Sequence, residues 1–326
     1  MATGVICNAL DGLDALELGS FPSKALGESE VRIAVHAACI NFPDLLTPSG
    51  KYQVKPSLPF VLGMEGAGVV VEVGRKVASV KVGQKVMGWA WSGFFSEEVT
   101  VPEKNLMTIP EGMDFIHAAG VVIAYSTAAN ALLQRGALKH GETLLVHGAA
   151  GGVGVAAIEI GKLLGANVIA TASSEEKLSV AKLKGADWLI DYTKEKFSDR
   201  VKEITDGKGA DVILDTVGGD VFDESVQCIA WGGRLLVVGF ASGRIPEIKT
   251  NRILLKGFSV VGVRALEHTA RLVHEGDAYR KQMLSWMAQG HLRPHVTQVF
   301  PFEQFRQALG CLETRKAIGR IVLKVR

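Results

Sequence analysis

The feature that most constrains the fold is the run Thr143-Leu-Leu-Val-His147-Gly-Ala-Ala-Gly-Gly-Val-Gly154, followed by the apolar Val155-Ala-Ala-Ile-Glu-Ile160. An apolar segment of strand length meets five consecutive small residues and then opens a helix over Gly152–Leu164. The alternation continues. A strand is expected at Asn167–Thr171, a helix at Glu175–Lys184, a strand at Trp188–Ile190 and a helix at Lys194–Thr205. A strand at Asp211–Thr216, a helix at Val221–Ala230, a strand at Arg234–Gly239 and a final apolar run at Phe258–Val263 complete it. Strands separated by helices of this length join through right-handed crossovers, so the segment is an α/β, doubly wound parallel sheet. Gly141, Gly165, Gly185 and Gly233 fall where helix C-caps and strand entries belong.

A chain of 326 residues exceeds what one hydrophobic core normally serves. Before about residue 120 the pattern is short alternating runs: Val31–Val35, Val69–Val73, Gln84–Met87 and Glu97–Val101, broken by Pro48-Ser-Gly50, Pro56, Pro59 and Gly63. That pattern predicts an all-β, barrel-like domain. His117–Arg135 is Ala-rich and predicts one helix. After residue 265 come a helix at Tyr279–Ala288, a turn at Gly290–Pro294, a helix at Phe302–Leu312 and a closing strand at Gly319–Val325. This last strand is expected to rejoin the first domain's sheet. Residues 1–120 and 265–326 thus form one expected domain and residues 121–264 the other.

Composition excludes several function classes. Hydrophobic residues at 48 % and charged residues at 21 % describe a globular chain, and a net charge of +2 without a basic run offers no nucleic-acid surface. No window approaches the ~18 apolar residues of a membrane span. The N-terminus lacks a basic segment followed by an apolar one, and the four cysteines (7, 39, 228, 311) form no C-x-x-C pair. The expectation is a cytoplasmic protein with reduced cysteines and a small-molecule partner.

In register, the small-residue run reads Ala149-x-Gly151-x-x-Gly154, a dinucleotide-binding fingerprint with Ala first. Gly151 lets backbone approach a pyrophosphate, and Gly154 lets helix pack on strand. The N–H groups along Ala150, Gly151, Gly152, Val153 and Gly154 face the anion at a helix N-terminus. NAD binders place an acid at the end of the next strand, but this chain has Ile169-Ala-Thr-Ala172 there. Ser173, Ser174 and Lys177 follow, and Tyr192 ends the strand after that, a set able to hold a 2′-phosphate. NADPH is therefore favoured over NADH. Against this, Ser173 could be a helix N-cap and Lys177 a solvated residue beside Glu175 and Glu176. His147 reads as packing, and His291 and His295, separated by Pro294, as loop residues.

Several further motifs run in one order along almost the whole chain: Asn41-Phe-Pro-Asp44, Pro59-Phe-Val-Leu-Gly-Met-Glu-Gly-Ala-Gly68, Val82-Gly-Gln-Lys-Val-Met87, Asp215-Thr-Val-Gly-Gly219, Val237–Pro246 and Gly319-Arg-Ile-Val322. By these the sequence resembles the medium-chain dehydrogenase/reductases, in particular their quinone oxidoreductase branch. The resemblance implies a GroES-like β-barrel catalytic domain joined to a Rossmann domain. It implies that Asn41 and Tyr52 line the nicotinamide and acceptor pocket, with Asp44 in the same loop as a third site residue or an Asx turn. On the cofactor side it implies Thr127, Val217, Gly239, Phe240, Val261 and Val263, with Arg315 reaching the phosphates; Arg315, Lys316 and Arg320 could each equally be surface charge. Zinc alcohol dehydrogenases of this family carry a Cys where Asn41 stands, a His where Met64 stands, and a Cys or Asp near Val122–Ile123. No catalytic zinc is therefore expected. The expected activity is zinc-independent hydride transfer from NADPH to a quinone or similar conjugated carbonyl. The alternatives are an enoyl or 2-alkenal reductase, or an NADPH-binding redox sensor or structural protein without turnover. The resemblance also implies a homodimer, for which Leu235–Val238 with Phe258–Val263 could supply an edge strand or could equally be interior sheet.

Overall fold

The computed structural model describes residues 1–314 and 317–326, which form two compact units, residues 1–123 with 294–326 and residues 124–293. The chain opens with β1 (Ala2–Cys7), β2 (Leu16–Phe21), β3 (Glu30–Cys39) and the one-turn helix α1 (Pro43–Leu46). Next come β4 (Phe60–Val61), β5 (Glu65–Val73), β6 (Lys85–Trp89), β7 (Glu98–Pro102), β8 (Leu106–Thr108), α2 (Phe115–Ala119) and α3 (Val122–Ala129). The second unit continues through β9 (Thr143–Val146), α4 (Gly152–Leu163), β10 (Asn167–Ala172), α5 (Glu175–Leu183), β11 (Trp188–Asp191) and α6 (Phe197–Ile204). It then runs β12 (Ala210–Asp215), α7 (Gly219–Cys228), β13 (Ile229–Val237), α8 (Thr250–Lys256), β14 (Ser259–Gly262), α9 (Ala265–Arg271) and α10 (Val273–Ala288). The first unit is completed by β15 (Val296–Pro301), α11 (Phe305–Glu313) and β16 (Arg320–Lys324).

In the first unit β3 is the organiser. It pairs along its length with β5, while its other edge is shared between β7, opposite Glu30–Ala34, and β16, opposite Ala37–Cys39. The closing strand thus rejoins the first sheet, in the order β15-β16-β3-β5-β6-β8, beside a smaller sheet β2-β1-β4. Alternation along β3 sends Val31, Ile33 and Val35 into a core that also holds Phe94, Phe95, Leu309 and Leu323. Burial of such side chains is the main source of stability here, at roughly 1.5–3 kcal/mol each.

The second unit is a parallel sheet in the order β11-β10-β9-β12-β13-β14. Strand order reverses between β9 and β12, the point at which such sheets bind ligands beyond their strand ends. Leu144–Val146, Val168–Ala170 and Val212–Leu214 are all fully buried, as strands covered on both faces require.

The structure departs from the sequence expectations in three places. The helix expected over His117–Arg135 is broken at Gly120–Val121 and ends in a π-helical turn at Asn130–Arg135. Gly120 leaves room for Arg320: a Cβ there would lie 3.1 Å from its Nε. The chain returns to the first unit after Arg293 rather than near 265, because α10 buries Tyr279, Met283 and Met287 within the second unit. The short elements β1, β2, α8, α9 and β15 carry too little periodicity to stand out in sequence.

Candidate functional site

The glycine turn is built as follows. Gly148, at φ +61°, makes the left-handed turn after β9, and a Cβ on it would fall 2.6 Å from Thr216 Oγ1. The tight-turn role therefore belongs to Gly148, one residue before the fingerprint's first position; Ala149 behind it is fully buried. Gly154 seals helix to turn, since its Cβ would lie 2.3 Å from the Gly148 carbonyl. Gly151 is the N-cap of α4, and a Cβ there would meet only the Gly148 carbonyl oxygen, at 3.3 Å. That open space above the N–H groups of Gly152, Val153 and Gly154, flanked by Ala150, fits a pyrophosphate at a helix N-terminus.

At the end of β10, Ala172 is buried and followed by Ser173, whose Oγ accepts a 3.2 Å hydrogen bond from Lys177 Nζ. Ser174, not Ser173, caps α5, its Oγ accepting from the Lys177 N–H at 3.3 Å. Tyr192 lies at the neighbouring strand end, its N–H donating to the Ala172 carbonyl. Asp191, the acid in register with Ala172, accepts from Thr193 and pairs with Lys194, which hold its carboxyl below the ordinary range. Ser173, Lys177 and Tyr192 thus lie at the ends of two neighbouring strands and the start of α5, whose first-turn acids Glu175 and Glu176 are exposed.

The loops after β12 and β13 meet. Ala241 and Ser242 N–H groups donate to the carbonyls of Thr216 and Val217, and Phe240 covers Gly218. Arg244 on this loop pairs with Asp220 and Asp223 of α7. Val217, Gly239 and Phe240 are therefore neighbours, and Val263 follows β14 with its N–H bonded to the Val237 carbonyl. Val261 sits within β14 and Thr127 within α3, both half-buried. Arg315 lies outside the described residues. His147 is a packing residue: its ring nitrogens meet Thr171 and Ser225 hydroxyls, and burial pushes its pKa down to about 3.

In the first unit Asn41, Asp44, Glu65 and Arg320 form a closed network. Asn41 Nδ2 donates to Glu65 Oε1 (3.0 Å) and to the Cys39 carbonyl (3.2 Å), and its Oδ1 accepts from Arg320 (3.0 Å). Arg320 also pairs with Glu65, whose other oxygen accepts the Ile123 N–H at 2.8 Å. Glu65 is fully buried. Burial works to raise its carboxyl, while Arg320, the Ile123 and Val122 N–H groups and Asn41 oppose that rise, a donor set suited to a carboxylate. It caps the N-terminus of α3 from a distant strand. The alternative of a surface Arg320 is thereby corrected: the residue is 7 % exposed and is the cation of a buried pair. Asp44 Oδ2 accepts the Asn41 N–H (2.8 Å), but Oδ1 has no hydrogen-bond partner among the described residues, and burial pushes this carboxyl up to about 8. Tyr52 stands half-buried on the loop after α1. The Cys39 thiol, pushed up to about 12 by burial, is inert at neutral pH. Sequence reading passed over Glu65 and Gly148. The signals were an acid inside the Gly-rich apolar run 59–70 and a second glycine directly before Ala149.

Residues 27–111 match the alcohol dehydrogenase GroES-like domain, and residues 152–288 match the family model described as zinc-binding dehydrogenase. A quinone oxidoreductase-like protein 2 homolog of Nematostella vectensis is 41 % identical over 99 % of this chain and 88 % of its own. The quinone oxidoreductase of Pseudomonas syringae pv. Tomato DC3000 superposes with a TM-score of 0.93 at 33 % identity, over all of both chains. A mycobacterial protein solved in complex with NADPH does so at 0.92 and 29 % identity, again over all of both chains. The chain belongs to the medium-chain dehydrogenase/reductase superfamily. Within that superfamily its residues do not fit a catalytic zinc. Asn41 has committed its amide, Met64 offers a buried thioether, Glu65 is held by Arg320, and Val122 and Ile123 have apolar side chains.

Two outcomes are expected. Arg320→Met alone leaves Glu65 buried and unpaired, and urea unfolding should show a loss of about 3–5 kcal/mol. The double variant Glu65→Gln, Arg320→Met should recover most of it. For Asp44, the folded-state pKa of about 8 lies above the unfolded value, so the folded protein holds an extra proton between about pH 4 and 8. Stability contributed by this group falls as pH rises through that window and levels off above it. Asp44→Asn removes the titration, so its melting temperature should gain on wild type from pH 5 to pH 8.5, by an amount on the order of several degrees.

Proposed function

We propose that the protein is a zinc-independent reductase that uses NADPH to reduce a quinone or a similarly conjugated carbonyl. The observation that carries this reading is that Asn41, where zinc relatives carry a Cys, has its amide taken up by Glu65 and Arg320, while Met64 and Val122–Ile123 stand where the other ligands would fall. Without a Lewis acid nothing lowers the pKa of a simple alcohol or polarises an isolated carbonyl. A conjugated acceptor needs neither, because it delocalises the negative charge itself. Bound NADPH supplies the hydride from its nicotinamide ring. The chain's own contribution is binding and orientation. The Gly148–Gly154 turn binds the pyrophosphate, and the Ser173 hydroxyl with the Lys177 ammonium takes the 2′-phosphate. Phe240 and Val217 line the nicotinamide end. Asp44 holds a proton near neutral pH but is 1 % exposed, so solvent supplies the proton that accompanies the hydride. The quinone oxidoreductase names of the relatives and the NADPH complex of the mycobacterial neighbour support the same reading.

NADPH oxidation with 1,4-naphthoquinone, unchanged by chelators, is expected; inactivity on every quinone tried would sink the reading. Lys177→Ala should raise KM for NADPH about tenfold, the loss of roughly one charge-assisted contact, and change KM for NADH less than twofold. Equal losses on both cofactors would remove Lys177 from the 2′-phosphate site.

We also propose a homodimer. β14 is an edge strand, whereas Leu235–Val237 lie in β13 inside the sheet, and Trp231 on β13 and Leu254 and Leu255 on α8 are 78 %, 79 % and 68 % exposed. An open edge with a large apolar patch marks an interface. Light scattering should give twice the chain mass, and Leu254→Asp should shift it towards the monomer.

A further inference from the structure

Arg32 on β3 and Glu98 on β7 belong to the first unit but to none of the sites described above. Arg32 stands seven positions before Cys39 on the same strand, roughly 20 Å from it along an extended chain. β3 and β7 are antiparallel, with Arg32 opposite Thr100 and Ala34 opposite Glu98. Directly opposite residues share a face of the sheet, so Arg32 and Glu98 are diagonal neighbours on one face, within reach of each other. Val31, Ile33 and Val99 pack into the core from the other face. Opposite charges so placed normally join. Here Arg32 donates instead from Nε to Glu72 (2.9 Å) and from Nη2 to the Lys24 carbonyl (3.0 Å). Among the described residues its Nη1 has no hydrogen-bond partner, and the Glu98 carboxylate has neither a hydrogen bond nor an ion pair.

Arg32 and Glu98 both line a cavity of about 160 Å³. Phe21 and Val99 give it apolar wall, and Ser92 and Thr100 bring hydroxyls that have no partner among the described residues. A single water needs at least about 10–15 Å³ of such space, so the cavity takes a molecule of about ten heavy atoms and is too small for a dinucleotide. The unused edge of a guanidinium, with neutral hydroxyls beside it, suits a carboxylate. A half-buried carboxylate without a cation gains from a bound ammonium. The cavity therefore offers a place for each charge of a zwitterion and an apolar wall for what joins them.

We propose that this cavity is a second ligand site and that it takes a free α-amino acid with an apolar side chain, about the size of leucine. Arg32 Nη1 and the Ser92 and Thr100 hydroxyls donate to its carboxylate, its ammonium donates to Glu98, and its side chain lies against Phe21 and Val99. The site goes beyond the reductase reading and does not depend on it. Calorimetry on the full chain without cofactor tests it, using L-leucine, 4-methylpentanoate, which lacks the ammonium, and 3-methylbutylamine, which lacks the carboxylate. Leucine is expected to bind at least about tenfold more tightly than either analogue, the loss of one charge-assisted contact in each case. Glu98→Gln should weaken leucine about tenfold, to the level of 4-methylpentanoate, and Arg32→Lys should weaken it to the level of 3-methylbutylamine. Since the Glu98 carboxylate has no partner to lose, Glu98→Gln should melt within about one degree of wild type, which separates lost binding from lost fold. NADPH affinity should be unchanged in both variants. No binding of leucine at ~20 mM, or leucine affinity that stays within about twofold in Glu98→Gln, would overturn the site. Equal affinity of wild type for leucine and 4-methylpentanoate would make it a plain anion site and overturn the amino-acid assignment.

Discussion

The buried ion pair of Arg320 with Glu65 is the constraint around which the first unit is arranged. Two charges taken out of water cost several kcal/mol each unless every lone pair and proton finds a partner. Glu65 meets that demand with four donors from three places in the chain: Asn41 after β3, Val122 and Ile123 at the start of α3, and Arg320 on β16. Arg320 lies 255 residues from its carboxylate. The closing strand therefore does more than fill a sheet edge beside Cys39: it delivers the cation that keeps the Glu65 carboxylate tolerable. The break at Gly120 has the same cause, since a side chain there would crowd the guanidinium.

That arrangement also decides what the site can do chemically. A metal site needs a donor whose lone pair is free to turn towards the ion. Asn41 directs its Nδ2 hydrogens to Glu65 and the Cys39 carbonyl and accepts from Arg320 on Oδ1, so it also has no N–H left for an acceptor's oxygen. It holds Asp44 through its backbone N–H and Glu65 through its amide.

The second unit was largely legible in sequence because strand, glycine turn and amphipathic helix repeat there at local spacing, and local spacing is what a sequence displays. Its element boundaries fall within a few residues of those expected from β9 through β12, whereas β13 begins five residues earlier than expected and α8 adds an unexpected helix. Gly148 escaped because a fingerprint read as a string favours glycines at fixed offsets, whereas the left-handed φ falls one residue earlier. In the first unit the alternation of Val31–Val35 and Val69–Val73 announced strands, but Glu65 and Arg320 looked like ordinary charges. Nothing local distinguishes a buried arginine from an exposed one; its partner is set by the register of β16 on β3. The same holds for Trp89, whose place opposite Glu65 depends on the pairing of β5 with β6.

Both units solve one problem, the control of charge at the start of a helix, in opposite ways. At α3 the sequence supplies an internal anion, Glu65, which occupies the N-terminal N–H groups permanently. At α4 it supplies Gly151 and small neighbours, with no acidic residue in the first turn, so no side chain of that turn neutralises the helix start. A helix N-terminus carries about half a positive charge in either case. What differs is whether the chain itself neutralises it, and that difference separates a structural helix start from a binding one. An acid introduced near Gly151 would convert the second kind into the first. That is a physical reason why the turn from Gly148 to Gly154 carries only small and apolar residues, while the acids of the next helix, Glu175 and Glu176, stand exposed in the first turn of α5.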